Sequence, residues 1–208
     1  MSRLDVVKSL LRSTVRSAAT GLQSSAVGVT LQRALREAGL SRITVGDGRL
    51  TQAVARIPGV VAATVSTAAN RVRVDASFDD GKRLAVSLRP ATVHFAAGGA
   101  KELGFEVEQA ETSFEPRVLE IVGAIAAEIA RGLWRAALAR APRSDQGGVA
   151  SRDGGRVIVD LRSVPEVRWA LRQRLPAAMI EALTLRSLES EPGRLLLRLS
   201  FDRLLATR

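Results

Sequence analysis

Residues 113–141, SFEPRVLEIVGAIAAEIARGLWRAALARA, constrain the fold more than any other stretch, because they form the longest run with helical periodicity. Phe114, Val118, Ile121, Val122, Ile125, Ile129, Leu133 and Ala137 recur at steps of three and four, which sets them on one side of a helix. Ser113 reads as the N-cap, Glu115 and Pro116 suit the first turn, and Arg131, Arg135 and Arg140 suit the negative end of the helix dipole before Pro142 stops it. Gly123, Ala126, Ala127, Ala130 and Gly132 thin another side, so a second layer can approach closely. Such a helix either fills a core or lines an apolar cavity. In the second case Val118, Val122, Ile125, Ile129 and Leu133 are the candidate walls.

Residues 43–110 change period. Short apolar runs at 43–45, 60–65, 72–78, 84–88, 92–96 and 103–107 are separated by turn residues and read as strands. Val72, Val74, Ala76 and Phe78 alternate with Arg71, Arg73, Asp75 and Ser77, giving one buried and one wet face. Asp79-Asp80-Gly81 reads as a hairpin turn, and Gly46-Asp47-Gly48, Arg89-Pro90 and Gly98-Gly99 as further turns. The expected fold class is α+β, an antiparallel one-faced meander packed on a long central helix. Beyond that helix, 143–155 reads as a loop and 156–161 as a strand. Ser163 begins a helix through Trp169 and Leu175 that Pro176 interrupts. A hairpin follows, with strands at 183–188 and 194–201 around Glu191-Pro192-Gly193.

Ahead of the first strand, Leu4, Val7, Leu11, Val15, Ala18 and Leu22 share a helical face, with Lys8, Arg12 and Arg16 as a basic row beside it. A second N-terminal helix spans 26–38 and ends at Gly39. The chain thus divides into basic amphipathic helices at 1–42, an antiparallel sheet unit at 43–112, and the long helix with a smaller helix and strand unit at 113–208, together one compact domain.

The net charge is +10, from 31 basic and 21 acidic residues, and only Lys8, Lys82 and Lys101 among the bases are lysines. An arginine excess of this kind reflects GC-rich coding in a bacterium-like source as readily as function, so position carries the information. Between 131 and 174, Arg131, Arg135, Arg140, Arg143, Arg152, Arg156, Arg162, Arg168, Arg172 and Arg174 face only Asp145, Asp153, Asp160 and Glu166. The candidate contacts to an anionic membrane or other anionic partner are Lys8, Arg12, Arg16, Arg131, Arg135, Arg168 and Arg172.

Several chemistries are excluded. Cys is absent, which removes disulfides, thiolate metal sites and thiol nucleophiles. His94 is the only His and alternates with Val93 and Phe95, on the face opposite the apolar one, so zinc sites built on two His are ruled out. Asp79 and Asp80 are turn formers, and the glycine pairs match neither a phosphate loop nor a dinucleotide fingerprint. No catalytic, cofactor-binding or metal-binding residue is assigned, and no enzyme is expected. Aromatic residues are 3% with no Tyr, which disfavours base stacking. The most apolar run, 121–127, is too short to span a membrane. Asp5, Lys8, Arg12 and Arg16 interrupt 4–22, so no secretory signal is read there. The expected location is the cytoplasm, peripheral at the inner face of the membrane.

Gly48-Arg49-Leu50 through Ile57-Pro58-Gly59-Val60 resembles Gly155-Arg156-Val157 through Val164-Pro165-Glu166-Val167, and RVRVDASFD at 71–79 resembles RLLLRLSFD at 194–202. These pairings suggest an internal duplication. A long apolar helix against a one-faced meander, in two related halves, resembles the tubular lipid-binding (TULIP) superfamily, which includes synaptotagmin-like mitochondrial-lipid-binding domains and bactericidal/permeability-increasing proteins. The resemblance covers the pattern of elements from residue 43 onward and carries over no binding residue. It implies a helix wrapped by a curved sheet, with lipid chains held in an apolar tunnel. The expected function is non-enzymatic binding of lipid or an anionic membrane surface through an apolar cavity and basic helices. The alternative is a nucleic-acid-associated or scaffold protein using the 131–174 surface, and a protein partner or a homo-oligomer fits either reading.

Overall fold

The computed structural model describes residues 42–109, 115–135, 137–173, 176–177, 180–181 and 183–200. In chain order the elements are β1 (Arg42–Gly46), α1 (Asp47–Ala55), β2 (Val60–Ala68), β3 (Arg71–Phe78), β4 (Arg83–Phe95), β5 (Lys101–Gln109), α2 (Glu115–Leu133), β6 (Ala150–Asp153), β7 (Arg156–Asp160), a 3-10 turn (Leu161–Ser163), α3 (Pro165–Leu171), β8 (Thr184–Glu191) and β9 (Arg194–Ser200). The helices expected at 3–22 and 26–38, with Lys8, Arg12 and Arg16, lie outside the described residues, as do Ser113, Phe114, Arg174, Leu175 and Phe201.

Helices and antiparallel sheets are mixed, as an α+β chain requires. The alternation in β3 sets Val72, Val74, Ala76 and Phe78 inward, all buried. Val74 stands opposite Val65 of β2 and Val86 of β4, so apolar side chains form a row across three strands. A six-stranded antiparallel sheet runs β2-β3-β4-β5-β7-β6, and a three-stranded one runs β1-β9-β8. The stretches on either side of residue 112 share both sheets, because β5 pairs with β7 and β1 with β9.

Three expected turns or loops resolve differently. Arg89-Pro90 lies inside the 13-residue β4, with a bulge between Pro90 and Thr92 where the proline has no N–H to give the ladder. Gly46 ends β1 and caps α1, so Asp47 and Gly48 form a first helical turn. The expected loop at 143–155 contains β6. Helix α3 ends at Leu171, short of the expected run through Leu175. Of the two pairings that suggested a duplication, the first sets helix α1 against strand β7 and is not carried by the backbone, whereas the second sets β3 against β9.

The regular part of the long helix stops at Leu133, and looser helical bonds continue it, Trp134 N–H to Ala130 O (2.9 Å) and Leu138 N–H to Trp134 O (2.8 Å). Every residue from Ile121 to Ala130 is buried. Helix α2 packs on α1, β1, β6 and β7, while β8 crosses the β2–β4 half of the large sheet beside it. Each fully buried Ile along α2 contributes about 1.5–3 kcal/mol relative to exposure. The thinned side has a specific use. A Cβ at Gly132 would lie 3.3 Å from Val45 of β1, and one at Gly123 would lie 2.3 Å from the Gly148 carbonyl of the strap over 142–149 that crosses the helix.

Strand β2 is an edge, yet the outward backbone groups of Val65 and Thr67 are occupied. The Thr51 hydroxyl accepts from Val65 N–H (2.9 Å), and Asp47 accepts from Thr67 N–H (3.0 Å) and the Thr67 hydroxyl (2.7 Å). Gly193 N–H donates to Thr67 O at 3.3 Å. Helix α1 therefore stands in for a further strand and blunts the edge.

Candidate functional site

The C-terminal half of α2, the strap and α3 meet at a buried ion network. The spacing of Glu128 and Arg131, three residues apart, lets both serve it from one helix face. Arg131 donates to Glu166 Oε1 from Nε (3.1 Å) and Nη2 (2.8 Å), and from Nη2 to the Ser144 carbonyl (2.8 Å). Ser144 N–H donates to the same Glu166 oxygen (3.1 Å). Arg131 Nη1 is 3.6 Å from Glu128, which Arg49 of α1 approaches to 2.5 Å. Glu166 sits in the first turn of α3 after Pro165, where the helix dipole favours a carboxylate. Its second oxygen is buried without a partner.

This network fixes the strap to two helices and organises what surrounds it. Arg143 precedes Ser144, Arg135 is one helical turn beyond Arg131, Arg168 follows Glu166 by two residues, and Arg172 is one further turn on. These four and Arg140 are exposed and have no acidic partner among the described residues; Arg168 bonds only the Ser163 carbonyl. Of the seven sequence candidates, Arg135, Arg168 and Arg172 are thus exposed cations on or next to the elements that carry the network. Arg131 does not offer its charge to solvent: its side chain is 21% exposed and its guanidinium is taken up by Glu166, Glu128 and Ser144. Arg156 and Arg162, also in the arginine-rich stretch, are paired with Glu106 and Glu181.

The outer face of the large sheet shows the opposite arrangement. Arg71, Glu108, Arg89, Glu106 and Arg156 alternate in sign across β3, β4, β5 and β7. The hydrogen bond from Arg89 holds the Glu106 carboxyl below its ordinary range, with Arg156 adding to the effect. His94 lies on this face, exposed and 3.7 Å from Glu102. Asp80 binds Lys82 N–H within the Asp79-Asp80-Gly81 turn, and that bond lowers its pKa.

The candidate cavity residues Val118, Val122, Ile125, Ile129 and Leu133 are all buried and belong to the continuous core cluster. Two shallow concavities lie elsewhere. One, of 560 Å³, is floored by Ala62, Thr64, Ser77 and Ala85 on the sheet surface, and the other is bordered by Glu106, Glu108 and Arg156. Phe78, Phe95, Phe105 and Trp134 are buried, and Phe95 stacks on Trp134 with centroids 5.6 Å apart.

The sequence reading passed over Lys101, which is fully buried. The signal was there: Lys101, Leu103 and Phe105 share one parity in β5, which puts the ammonium on the apolar face. Glu128 and Glu166 were likewise hidden among charges that looked solvated. Among the described residues no group of three or more His, Cys, Asp or Glu could hold a metal ion, and no helix is long and apolar enough to cross a membrane. Comparison with family models, with curated proteins and with solved structures finds no significant match to this chain.

Proposed function

We propose that this chain is a non-enzymatic binding protein that docks on an anionic membrane surface through the rim formed by Arg135, Arg140, Arg143, Arg168 and Arg172. The observation that supports this is the contrast with the outer sheet face: Arg71, Arg89 and Arg156 there are matched by carboxylates, whereas these five are exposed without one. Arginine suits the task, because its planar fork engages phosphate oxygens in pairs and gives up hydration more readily than an ammonium. The packed core around Val122, Ile125 and Ile129 favours binding at the surface over binding in an apolar cavity. Phe78, Phe95, Phe105 and Trp134 are buried and Trp169 is the one partly exposed Phe or Trp ring among the described residues, which weighs against the run of stacked bases that single-stranded nucleic acid requires.

Sedimentation with phosphatidylcholine vesicles, with and without phosphatidylserine, tests the reading. Binding is expected only with the anionic lipid and should fall as salt rises. At about 1 kcal/mol per arginine near such a surface, Arg135→Gln, Arg143→Gln and Arg168→Gln combined should weaken it roughly 100-fold. Equal binding to neutral vesicles overturns the proposal. Tight, steeply salt-dependent retention of duplex DNA with no vesicle binding favours the nucleic-acid reading instead.

A further inference from the structure

The two sheets are joined by apolar packing between β4 and β8 and by polar bonds at the ends. At one end Asn70 N–H donates to Ser190 O (3.1 Å) and Gly193 N–H to Thr67 O (3.3 Å). The other end is built differently. The β4–β5 turn meets the segment leading into β8 through Gly98 N–H to Glu181 O (2.9 Å) and Ala97 N–H to the Thr184 hydroxyl (3.1 Å). Between these bonds sits the fully buried Lys101 ammonium, donating to the carbonyls of Ala96, Leu183 (3.0 Å) and Glu181 (3.4 Å). The Phe95 ring closes the remaining side, 4.8 Å from Nζ to its centroid. The oxygens thus come from both sides of the junction and converge on the one Lys101 nitrogen.

We infer that Lys101 is a proton-linked latch between the two sheets: parting the 96–100 turn from Glu181, Leu183 and Thr184 releases the ammonium to water, so parting is coupled to proton uptake on the alkaline side. The reason is the difference in surroundings between the two states. In the closed state burial pushes Lys101 down to about 8, Glu181 opposing and Arg162 reinforcing the shift, while an exposed lysine titrates at 10.5. The charged groups facing it are Glu181 and Arg162, which are paired with each other at 2.8 Å, Arg162 also holding the Gly99 carbonyl. Glu102 and His94, on the adjoining strands, interact with each other on the opposite face. Between about 8 and 10.5 the parted state binds more protons than the closed one, so closure strengthens as pH rises through that window and is constant below it. Parting would uncover Phe95, Trp134, Ile180 and Leu183, all buried beneath the junction.

Amide hydrogen exchange of Ala97 and Gly98, corrected for the intrinsic pH dependence of exchange, reads the latch directly. In the wild-type chain the opening constant is expected to be about tenfold lower at pH 9 than at pH 7, while the Ser190-bonded Asn70 amide at the other end shows no such change. Lys101→Met should abolish the pH dependence at Ala97 and Gly98. Should that variant fail to fold, titration of the Lys101 Nζ resonance in the wild-type chain decides, since the change in exchange must share its midpoint. Exchange independent of pH in the wild type, or the same dependence in Lys101→Met, overturns the inference.

Discussion

Gly48 and Gly123 are both helical glycines, and their surroundings give them opposite signs. A Cβ at Gly48 of α1 meets nothing within 4 Å, so Gly48→Ala should stabilise the chain by up to about 0.5–1 kcal/mol, the usual helical difference between the two residues. A Cβ at Gly123 would meet the Gly148 carbonyl at 2.3 Å, and that carbonyl belongs to backbone that cannot swing aside as a side chain would. Gly123→Ala should therefore cost roughly 1–3 kcal/mol or more, as overpacking does. Urea unfolding of the two variants checks both signs, and an unchanged or raised stability in Gly123→Ala would mean that the strap does not cross where the structure has it. The sequence made the thinness of this helix legible through Gly123 and Gly132. It did not say that Gly147 and Gly148, 24 and 25 residues beyond Gly123, supply the crossing partner, because nothing in local pattern records such an approach.

Among the elements, β2 and α1 show how a strand edge is closed without another strand. The sequence marked 60–65 as a strand by its β-branched run, but it read Gly46-Asp47-Gly48 as a turn because the same residues serve turns and helix starts. What decides between them is tertiary: Asp47 is drawn to Thr67, 20 residues away, and Thr51 to Val65. Pro90 was misleading for the related reason that a proline in a strand is tolerated at a bulge, which no local signal distinguishes from a turn. Asp47→Ala together with Thr51→Val should leave the Val65 and Thr67 N–H groups without acceptors, at about 1–3 kcal/mol for each. The bared edge should then pair with itself, giving a concentration-dependent dimer in analytical ultracentrifugation. Val61 on the same strand is 70% exposed, and adding Val61→Lys should return the double variant to monomer without restoring its stability. A double variant that remains monomeric, or unchanged stability, would show that α1 does not guard this edge.

Across the whole molecule, net charge and local charge part company. The +10 of the chain says that anions are attracted, but it does not say where. On the outer sheet face Arg71, Arg89 and Arg156 are largely offset by Glu106 and Glu108, and such exposed pairs contribute only about 0–1 kcal/mol each to stability. The rim stands over charges of the other kind, with Glu128 and Glu166 buried and engaged by Arg49 and Arg131, while Arg135, Arg143 and Arg168 make no ion pair among the described residues. Two double variants with the same change in net charge separate these roles. Arg135→Gln with Arg168→Gln should weaken binding to phosphatidylserine vesicles by about 2 kcal/mol, roughly 30-fold, and leave the unfolding midpoint nearly unchanged. Arg71→Gln with Arg156→Gln removes as much charge from a face whose field is already largely offset, so affinity should fall only through the long-range attraction, which 0.15 M salt screens over about 8 Å. Equal losses for the two pairs at that salt would mean that the membrane senses total charge and that the rim is not the docking face. Unequal losses that converge as salt is lowered are what a local arginine face requires, because only then does the distant charge regain its reach.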